Sequence, residues 1–190
     1  ISITSTGTKN IGALIGKSIN TIVENSYVTG SITVTDNFDC YGSAGGLIGL
    51  LESTSTSVVK KTFVYVNVNA NHDCRPWYAV ACEYDWAAIG GFIGSVVSAN
   101  ILNTNIENSY SKGSVNDGDG CSYIGGFTGW LTDAYIINSY STGAVYNGQY
   151  RRGFLSHCDA NCYCTNDFWD KDTSGISESF CAALNSLDKM

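Results

Sequence analysis

One glycine-rich phrase recurs through this 190-residue chain and limits what the chain can fold into. The copies are I-G-A-L-I-G at residues 11–16, G-G-L-I-G at 45–49, I-G-G-F-I-G at 89–94, I-G-G-F-T-G at 124–129 and a shorter R-G-F-L-S at 152–156. They follow one another at roughly 27 to 45 residues, which is the spacing of solenoid repeats. Because a unit of this length cannot bury its apolar side alone, neighbouring units must stack.

A second phrase, rich in β-branched and aromatic residues, follows the glycine-rich one. It reads V-E-N-S-Y-V-T-G-S-I-T at residues 23–33, I-E-N-S-Y-S-K-G-S-V-N at 106–116 and I-N-S-Y-S-T-G-A-V-Y at 137–146. In the second unit Lys61 stands where the other copies have Asn, and Asn166 opens the last copy. Both phrases suit strands of about five to eight residues. We therefore expect a single all-β solenoid domain of about five units, approximately 1–44, 45–88, 89–123, 124–151 and 152–190.

The two phrases together carry a family resemblance. G-G-L-I-G followed by N-S-Y-x-T-G-S resembles the GLUG-motif repeats of large secreted and surface proteins. The segment D-F-W-D-K-D-T-S-G at 167–175 and the closing Lys189-Met190 are similar to the way many GLUG arrays end. The resemblance implies a parallel β-solenoid (β-helix) with a C-terminal cap, on adhesins or surface-protein stalks, with no reaction attached to the repeat. The chain departs from the family pattern in its Cys content and its long second unit.

Charge and hydropathy exclude several classes of partner. The formal net charge is −7, and charged residues are 14% of the chain. We expect no binding to nucleic acid or to anionic membranes, because both require clusters of Lys and Arg. The most apolar stretch, residues 87–97, is far shorter than the roughly 20 residues that cross a bilayer, so we expect no membrane insertion. The first residue is Ile rather than an initiator Met, which predicts a processed product or part of a longer protein.

Eight cysteines, an even number, predict disulfides and an extracellular or cell-surface location. They fall into two groups: Cys40, Cys74, Cys82 and Cys121 near one corner of the repeat, and Cys158, Cys162, Cys164 and Cys181 near the C-terminus. We expect pairing within each group, bracing a loop corner and fastening the tail over the last rung; each group allows three connectivities. The alternative is a zinc site formed by His157, Cys158, Cys162 and Cys164.

Stacked rungs place equivalent residues above one another, which predicts side-chain columns. An amide ladder at an inward corner is expected from Asn25, Asn108, Asn138 and Asn166. An aromatic row is expected from Tyr27, Phe63, Tyr110, Tyr140 and Phe168. The predicted core consists of Leu14, Leu47, Phe92, Phe127, Phe154, Ile48, Ile93, Val28, Val64, Ile32, Val115 and Val145.

No set of residues with the composition of a catalytic site stands out, so we expect no enzyme activity and no cofactor. Glu24 and Glu107 occupy equivalent positions and are a conceivable glycosidase pair, but they fit a solvated surface row better. His72 and His157 do not recur. The segment N-D-G-D-G at 116–120 resembles half of a calcium loop and is also a plain turn.

The insertion at residues 72–88 is the least repeat-like segment and carries the candidate ligand-binding residues Trp77, Tyr78, Tyr84 and Trp86. Such aromatic density on a loop suits sugar stacking, a protein contact or simple cover for the solenoid. We expect a structural extracellular protein, a rod-like module or subunit of a surface filament, appendage or matrix, which self-associates head-to-tail or side-to-side. The alternative is an adhesin-type module that recognises a glycan or surface receptor through the insertion.

Overall fold

The computed structural model describes residues 1–6, 9–35, 41–71, 87–100, 103–118, 122–181 and 183–185, and all structural statements concern these residues. A first strand, β1 (Ser2–Ser5), precedes five rungs. Rung 1 contains β2 (Asn10–Gly12), β3 (Ile15–Ile19), β4 (Ile22–Glu24) and β5 (Tyr27–Val34). Rung 2 contains β6 (Ser43–Gly45), β7 (Ile48–Ser53), β8 (Ser57–Lys60) and β9 (Phe63–Ala70).

The remaining rungs repeat this order. Rung 3 contains β10 (Ala88–Gly90), β11 (Ile93–Ser98), β12 (Thr104–Glu107), β13 (Tyr110–Ser111) and β14 (Val115–Asp117). Rung 4 contains β15 (Tyr123–Gly125), β16 (Thr128–Ile137), β17 (Tyr140–Ser141) and β18 (Val145–Tyr146). Rung 5 contains β19 (Tyr150–Arg152), β20 (Leu155–Thr165) and β21 (Phe168–Asp170), and is followed by the short helix α1 (Lys171–Ser174) and by β22 (Ala183–Asn185).

The strands form three parallel sheets that run along the solenoid. Sheet 1 holds β2, β6, β10, β15 and β19; sheet 2 holds β3, β4, β7, β8, β11, β12, β16 and β20; sheet 3 holds β1, β5, β9, β13, β14, β17, β18, β21 and β22. Equivalent residues pair from rung to rung, as in the series Ala44, Ile89 and Ile124. The predicted all-β parallel solenoid of about five rungs is confirmed.

The recurring glycines lie where sheets 1 and 2 meet. A Cβ atom added to Gly45 would lie 2.0 Å from the Ile48 carbonyl oxygen and 2.6 Å from the Gly94 nitrogen. At Gly90 the corresponding distance to the Ile93 carbonyl oxygen is 1.9 Å. The chain therefore reverses through an arch in which backbone packs directly on backbone, and only glycine fits there.

The core lies inside the three sheets and contains a column of stacked rings. The ring centroids of Phe92 and Phe127 are 4.5 Å apart, and those of Phe127 and Phe154 are 4.6 Å apart. Leu47 is fully buried beneath this stack, and the other predicted core residues are buried with one exception. Leu14 is 48% exposed, so its assignment to the core was wrong. Its rung forms the edge of sheets 1 and 2 among the described residues, and β1 covers only sheet 3.

The corner between sheets 2 and 3 turns at one residue with a positive φ. This residue is Asn25, Asn108, Asn138 or Asn166 in four rungs, with φ between 49° and 55°, and Lys61 with φ 50° in rung 2. Asn tolerates the left-handed conformation better than other residues with a Cβ atom, which explains its recurrence at this corner.

No helix in the described part of the chain is long or apolar enough to cross a bilayer.

Candidate functional site: side-chain columns and the C-terminal end

The predicted ligand-binding residues Trp77, Tyr78, Tyr84 and Trp86 lie outside the described residues. The first cysteine group, Cys40, Cys74, Cys82 and Cys121, lies outside them as well, as does His72. The disulfide-braced loop corner and the binding role of the insertion therefore remain predictions.

An amide ladder runs along the corner between sheets 2 and 3. The Asn138 side chain donates a hydrogen bond of 3.2 Å to the side-chain oxygen of Asn108, and Asn166 donates one of 3.1 Å to Asn138. Lys61 interrupts the ladder before Asn25. All four Asn side chains are exposed, so the predicted inward orientation was wrong. The left-handed corner turns these side chains toward solvent.

A buried hydroxyl column follows the amide ladder by one residue. The hydroxyls of Ser109 and Ser139 each donate to the carbonyl oxygen two residues earlier, at 2.8 Å and 3.1 Å. Each also accepts a backbone N–H from the preceding rung: Thr62 donates to Ser109 at 3.2 Å, and Ser109 donates to Ser139 at 3.3 Å. Sequence reasoning missed this column, although the recurring Asn-Ser pair was its visible signal.

Asp167 ends the hydroxyl column in rung 5. Its Oδ1 accepts the Ser139 N–H at 2.7 Å, as a hydroxyl does in the earlier rungs. The residue is 2% exposed, and Oδ2 has no hydrogen-bond partner among the described residues. Burial raises the pKa of this carboxyl to about 7, although backbone hydrogen bonds from Ser139 and Thr165 oppose the increase. The column therefore ends in a buried carboxyl group whose ionised form is disfavoured.

The predicted aromatic row lies on the outer surface of sheet 3. The ring centroids of Phe63 and Tyr110 are 4.6 Å apart, and those of Tyr110 and Tyr140 are 4.9 Å apart with an interplanar angle of 10°. Burial raises the pKa of Tyr140. Stacked rings cover one another's faces and present their edges outward. Since sugar stacking needs a free ring face, this row packs the solenoid rather than offering a stacking platform.

The residues after rung 5 cover its free edge. The Gly153 N–H donates to the Glu178 carbonyl oxygen at 2.9 Å, and the Phe180 N–H donates to the Leu155 carbonyl oxygen at 3.2 Å. β22 then pairs with β21 in sheet 3. In the earlier rungs the next rung makes these contacts; Gly126, for example, donates to the Arg152 carbonyl oxygen. The tail is therefore a shortened sixth rung, and it forms the expected C-terminal cap.

Trp169 closes the core beneath this tail. It is 3% exposed, and its ring lies against Gly153, where a Cβ atom would be 2.0 Å from it. The indole N–H donates to the Ile176 carbonyl oxygen at 3.0 Å. Asp170 caps α1 by accepting the Asp172 N–H at 3.0 Å. The W-D-x-x-T-S-G phrase thus builds the turn that directs the tail back across rung 5.

Two disulfides hold the C-terminal region: Cys158–Cys162 within β20, and Cys164–Cys181 between β20 and the tail. Pairing within the second cysteine group is thereby confirmed. The zinc alternative was wrong, because all three of its thiols are consumed in disulfides and cannot act as thiolate ligands. Among the described residues no group of three or more metal-ligating side chains occurs.

We expect the Cys164→Ser/Cys181→Ser double variant to release the tail and to lower the free energy of unfolding by about 3 kcal/mol, because the lost bridge closes a 17-residue loop. Hydrogen exchange should show faster exchange of the Phe180 amide. The matched control is Cys158→Ser/Cys162→Ser, which opens a loop of only four residues and should leave the tail protected. A Phe180 amide that stays protected in the first variant would contradict the fastening role.

The carboxylates considered for catalysis lie on the outer face of sheet 2. Lys60 pairs in register with Glu24 on one side and Glu107 on the other. Its Nζ lies 2.8 Å from Glu24 Oε1, and this ion pair raises the pKa of Lys60. A cation therefore lies where a glycosidic bond would have to sit between the two carboxylates.

His157 belongs to an aromatic cluster that the sequence did not predict. Its ring centroid lies 4.1 Å from Trp130, 4.7 Å from Tyr123 and 5.9 Å from Phe180. Burial lowers the pKa of His157. Register pairing across β15, β16, β19 and β20 brings these rings together, so no local sequence motif indicated the cluster.

In the segment that resembles half of a calcium loop, Asp117 stabilises a turn. Asp117 is fully buried and accepts hydrogen bonds from the Ser122 N–H at 3.1 Å and the Ser122 hydroxyl at 2.6 Å. This arrangement closes a turn, and residues 119–121 lie outside the described residues.

The family comparison matches one structural unit. A family model described as the GLUG motif matches residues 7–35. This segment contains β2, β3, β4 and β5, so the motif corresponds to one complete rung. Residues 7–35 of this chain thus carry a GLUG motif. The glycine arch and the left-handed corner of this GLUG rung recur in the rungs that follow.

A curated relative is the zinc metalloprotease ZmpC of Streptococcus pneumoniae serotype 4. The GLUG chain is 25% identical to it over 124 residues, which is 65% of this chain and 6% of ZmpC. The chain thus spans only a small part of that protein. No solved structure matches it significantly. The GLUG motif together with the two C-terminal disulfides fits a surface or secreted protein.

Proposed function

We propose that this GLUG chain is a rigid, non-enzymatic structural module of a secreted or surface protein. The observation that carries the proposal is the parallel pairing of five successive rungs, which stay in register except for one shift between Leu131 and Thr132. Each rung pairs through its backbone with the next. The amide ladder adds hydrogen bonds between side chains, and the hydroxyl column adds hydrogen bonds from backbone N–H groups to serine hydroxyls. In such an array every unit contacts its neighbours, so a local deformation must break ordered contacts on both sides.

The height of five stacked rungs determines whether one chain alone could form an extended structure. Five rungs at about 4.8 Å each give a body roughly 24 Å tall along the solenoid axis. This height does not exceed the length of the longest strand, which runs across the axis. One chain is therefore a block rather than a rod, and an extended structure requires association of blocks. The shortened sixth rung already pairs with rung 5, so we favour side-to-side over head-to-tail association.

Catalysis by this chain finds no support in the residues that the structure describes. ZmpC is named a zinc metalloprotease, but the alignment covers 6% of it. The present sequence has two His residues, His72 and His157, and His157 is packed among aromatic rings. Two distant histidines cannot supply the paired His ligands of a helical zinc-protease motif.

The adhesin alternative depends on the insertion at residues 72–88, most of which lies outside the described residues. Binding to a glycan array that is lost in the Trp77→Ala variant would favour it over the structural role.

Single-molecule pulling tests the proposed rigidity. When force is applied through the two termini of the chain with its disulfides reduced, we expect rungs to detach one at a time, each step releasing roughly 100 to 160 Å of chain. The steps should be unaffected by metal chelators. Smooth extension without steps at low force would contradict a rigid module. The Gly90→Ala variant is the control, because its disrupted arch should lower the force at which rungs detach.

A further inference from the structure

The outer face of sheet 3 carries fewer charged side chains than the outer face of sheet 2. Alternate residues of β5, β9 and the equivalent strands of rungs 3 and 4 point outward, and the described ones are Tyr, Phe, Thr, Ser, Asn and Ala with one exception, Lys112. Sheet 2, in contrast, carries the ion pairs Lys17–Glu52 and Lys60–Glu24 on its outer face. A chain of net charge −7 therefore has one broad face that is nearly uncharged.

Polar groups on this face are already hydrogen-bonded along the solenoid axis. The Asn67 side-chain oxygen accepts both the backbone N–H and the hydroxyl of Ser114, each at 3.0 Å. Asn116 donates to Asn69 at 2.6 Å, and Asn147 donates to Asn116 at 2.8 Å. Covering these groups with another protein surface costs less than covering unpaired ones, because desolvation leaves their existing bonds in place.

Large aromatic side chains project from the same face. Tyr27 is 63% exposed, Tyr65 50% and Tyr146 53%. Protein interfaces are enriched in Tyr and depleted of charge at their centre, as this face is. The eight-residue strands β5 and β9, the shorter paired strands of rungs 3 and 4, and β1 together make a surface of roughly 600 Å² per copy. Pairing two copies would bury roughly 1,200 Å², the lower limit of a stable interface.

We propose that this face packs against the same face of a second copy of the chain. Charge is the reason for choosing this face. Two copies that each carry −7 repel one another, and this face brings them together with the fewest like charges in contact. Sheets that pack face to face lie about 10 Å apart, which leaves room for interdigitated Tyr side chains. The inference extends the proposed structural role by identifying the surface through which blocks associate.

Lys112 limits the strength of this pairing. Its Nζ lies 5.7 Å from the centroid of the Tyr65 ring, so its charge is held by the aromatic side chain of the neighbouring rung. Rung 4 has Thr142 at the equivalent position. A lone lysine on an otherwise neutral face opposes its burial, because its charge must be desolvated when a second surface covers it. Lys112 thus keeps the contact reversible.

Sedimentation equilibrium of the purified, oxidised chain tests the proposal. We expect reversible dimers with a dissociation constant on the order of micromolar. Lys112→Thr should tighten dimerisation at least about tenfold, and Thr142→Lys should weaken it at least about tenfold. Val97→Lys is the matched control, because it adds the same charge at a 45% exposed position of sheet 2 and should leave the dimer unchanged. Circular dichroism checks that each variant folds.

Two results would overturn the interface. One is a wild type and a Lys112→Thr variant that both remain monomeric up to millimolar concentration. The other is dimerisation that is equally sensitive to Val97→Lys and Thr142→Lys. If instead the monomer binds an insoluble neutral polysaccharide and the Thr142→Lys variant does not, the face binds glycans rather than a second copy of the chain. A monomer that still unfolds rung by rung under force would leave the proposed structural role intact.

Discussion

Gly90→Ala is expected to destabilise the fold by about 3 kcal/mol or more. The added Cβ atom would lie 1.9 Å from the Ile93 carbonyl oxygen and 2.8 Å from the Phe127 carbonyl oxygen. Both neighbours are backbone atoms held in parallel ladders, so neither can rotate away as a side chain would. Relief requires the arch of rung 3 to open and the Phe stack beside it to separate. Urea unfolding followed by far-UV circular dichroism measures the loss.

Gly175→Ala separates this steric effect from the conformational cost of replacing glycine. Gly175 has φ 68°, and a Cβ atom added there meets nothing within 4 Å. The substitution should cost about 1 kcal/mol, the usual penalty for placing a Cβ atom in the left-handed region. Equal losses in the two variants, or a Gly90→Ala protein as stable as wild type, would contradict backbone packing as the reason for the recurring glycines.

The repeating part of this fold was predictable because each rung obeys the same local rules. Glycine pairs mark the arch, and Asn before Ser marks the left-handed corner. The residue that follows Gly-Gly, or Arg-Gly in rung 5, enters the core, which identified Phe92, Phe127 and Phe154 correctly. Lys61 was recognisable as a departure from the Asn pattern, and it interrupts the amide ladder at that rung.

Features that depend on position along the stack were not predictable. Leu14 matches Leu47 in sequence, but its exposure depends on whether a rung lies beneath it. The orientation of the Asn ladder depends on the direction in which the corner turns. The tail around Phe180 lacks the repeat phrase, although its backbone occupies the place of a sixth rung. Trp169 and Asp167 differ from their counterparts because they adjoin this shortened rung.

Asp167→Ser is expected to change the pH dependence of stability. The carboxyl has a pKa of 3.8 in the absence of the fold and about 7 in the folded chain. The folded state therefore binds the proton more tightly, and the stability of the wild type falls as the pH rises from about 4 to about 7. The full difference corresponds to about 4 kcal/mol. We expect a loss of roughly 2 kcal/mol, because proteins relax around a buried charge.

Serine at position 167 should remove this loss and keep the column. Its hydroxyl can accept the Ser139 N–H, as Ser139 accepts that of Ser109 at 3.3 Å. We expect the variant to be more stable than the wild type by roughly 2 kcal/mol at pH 8, and to lack the advantage of the protonated carboxyl at pH 4. Urea midpoints measured at both pH values give the comparison. Asp172→Asn, which removes an exposed carboxyl two residues beyond β21, should show no such crossover. Parallel stability curves for Asp167→Ser and the wild type would show that the buried carboxyl does not titrate between these pH values.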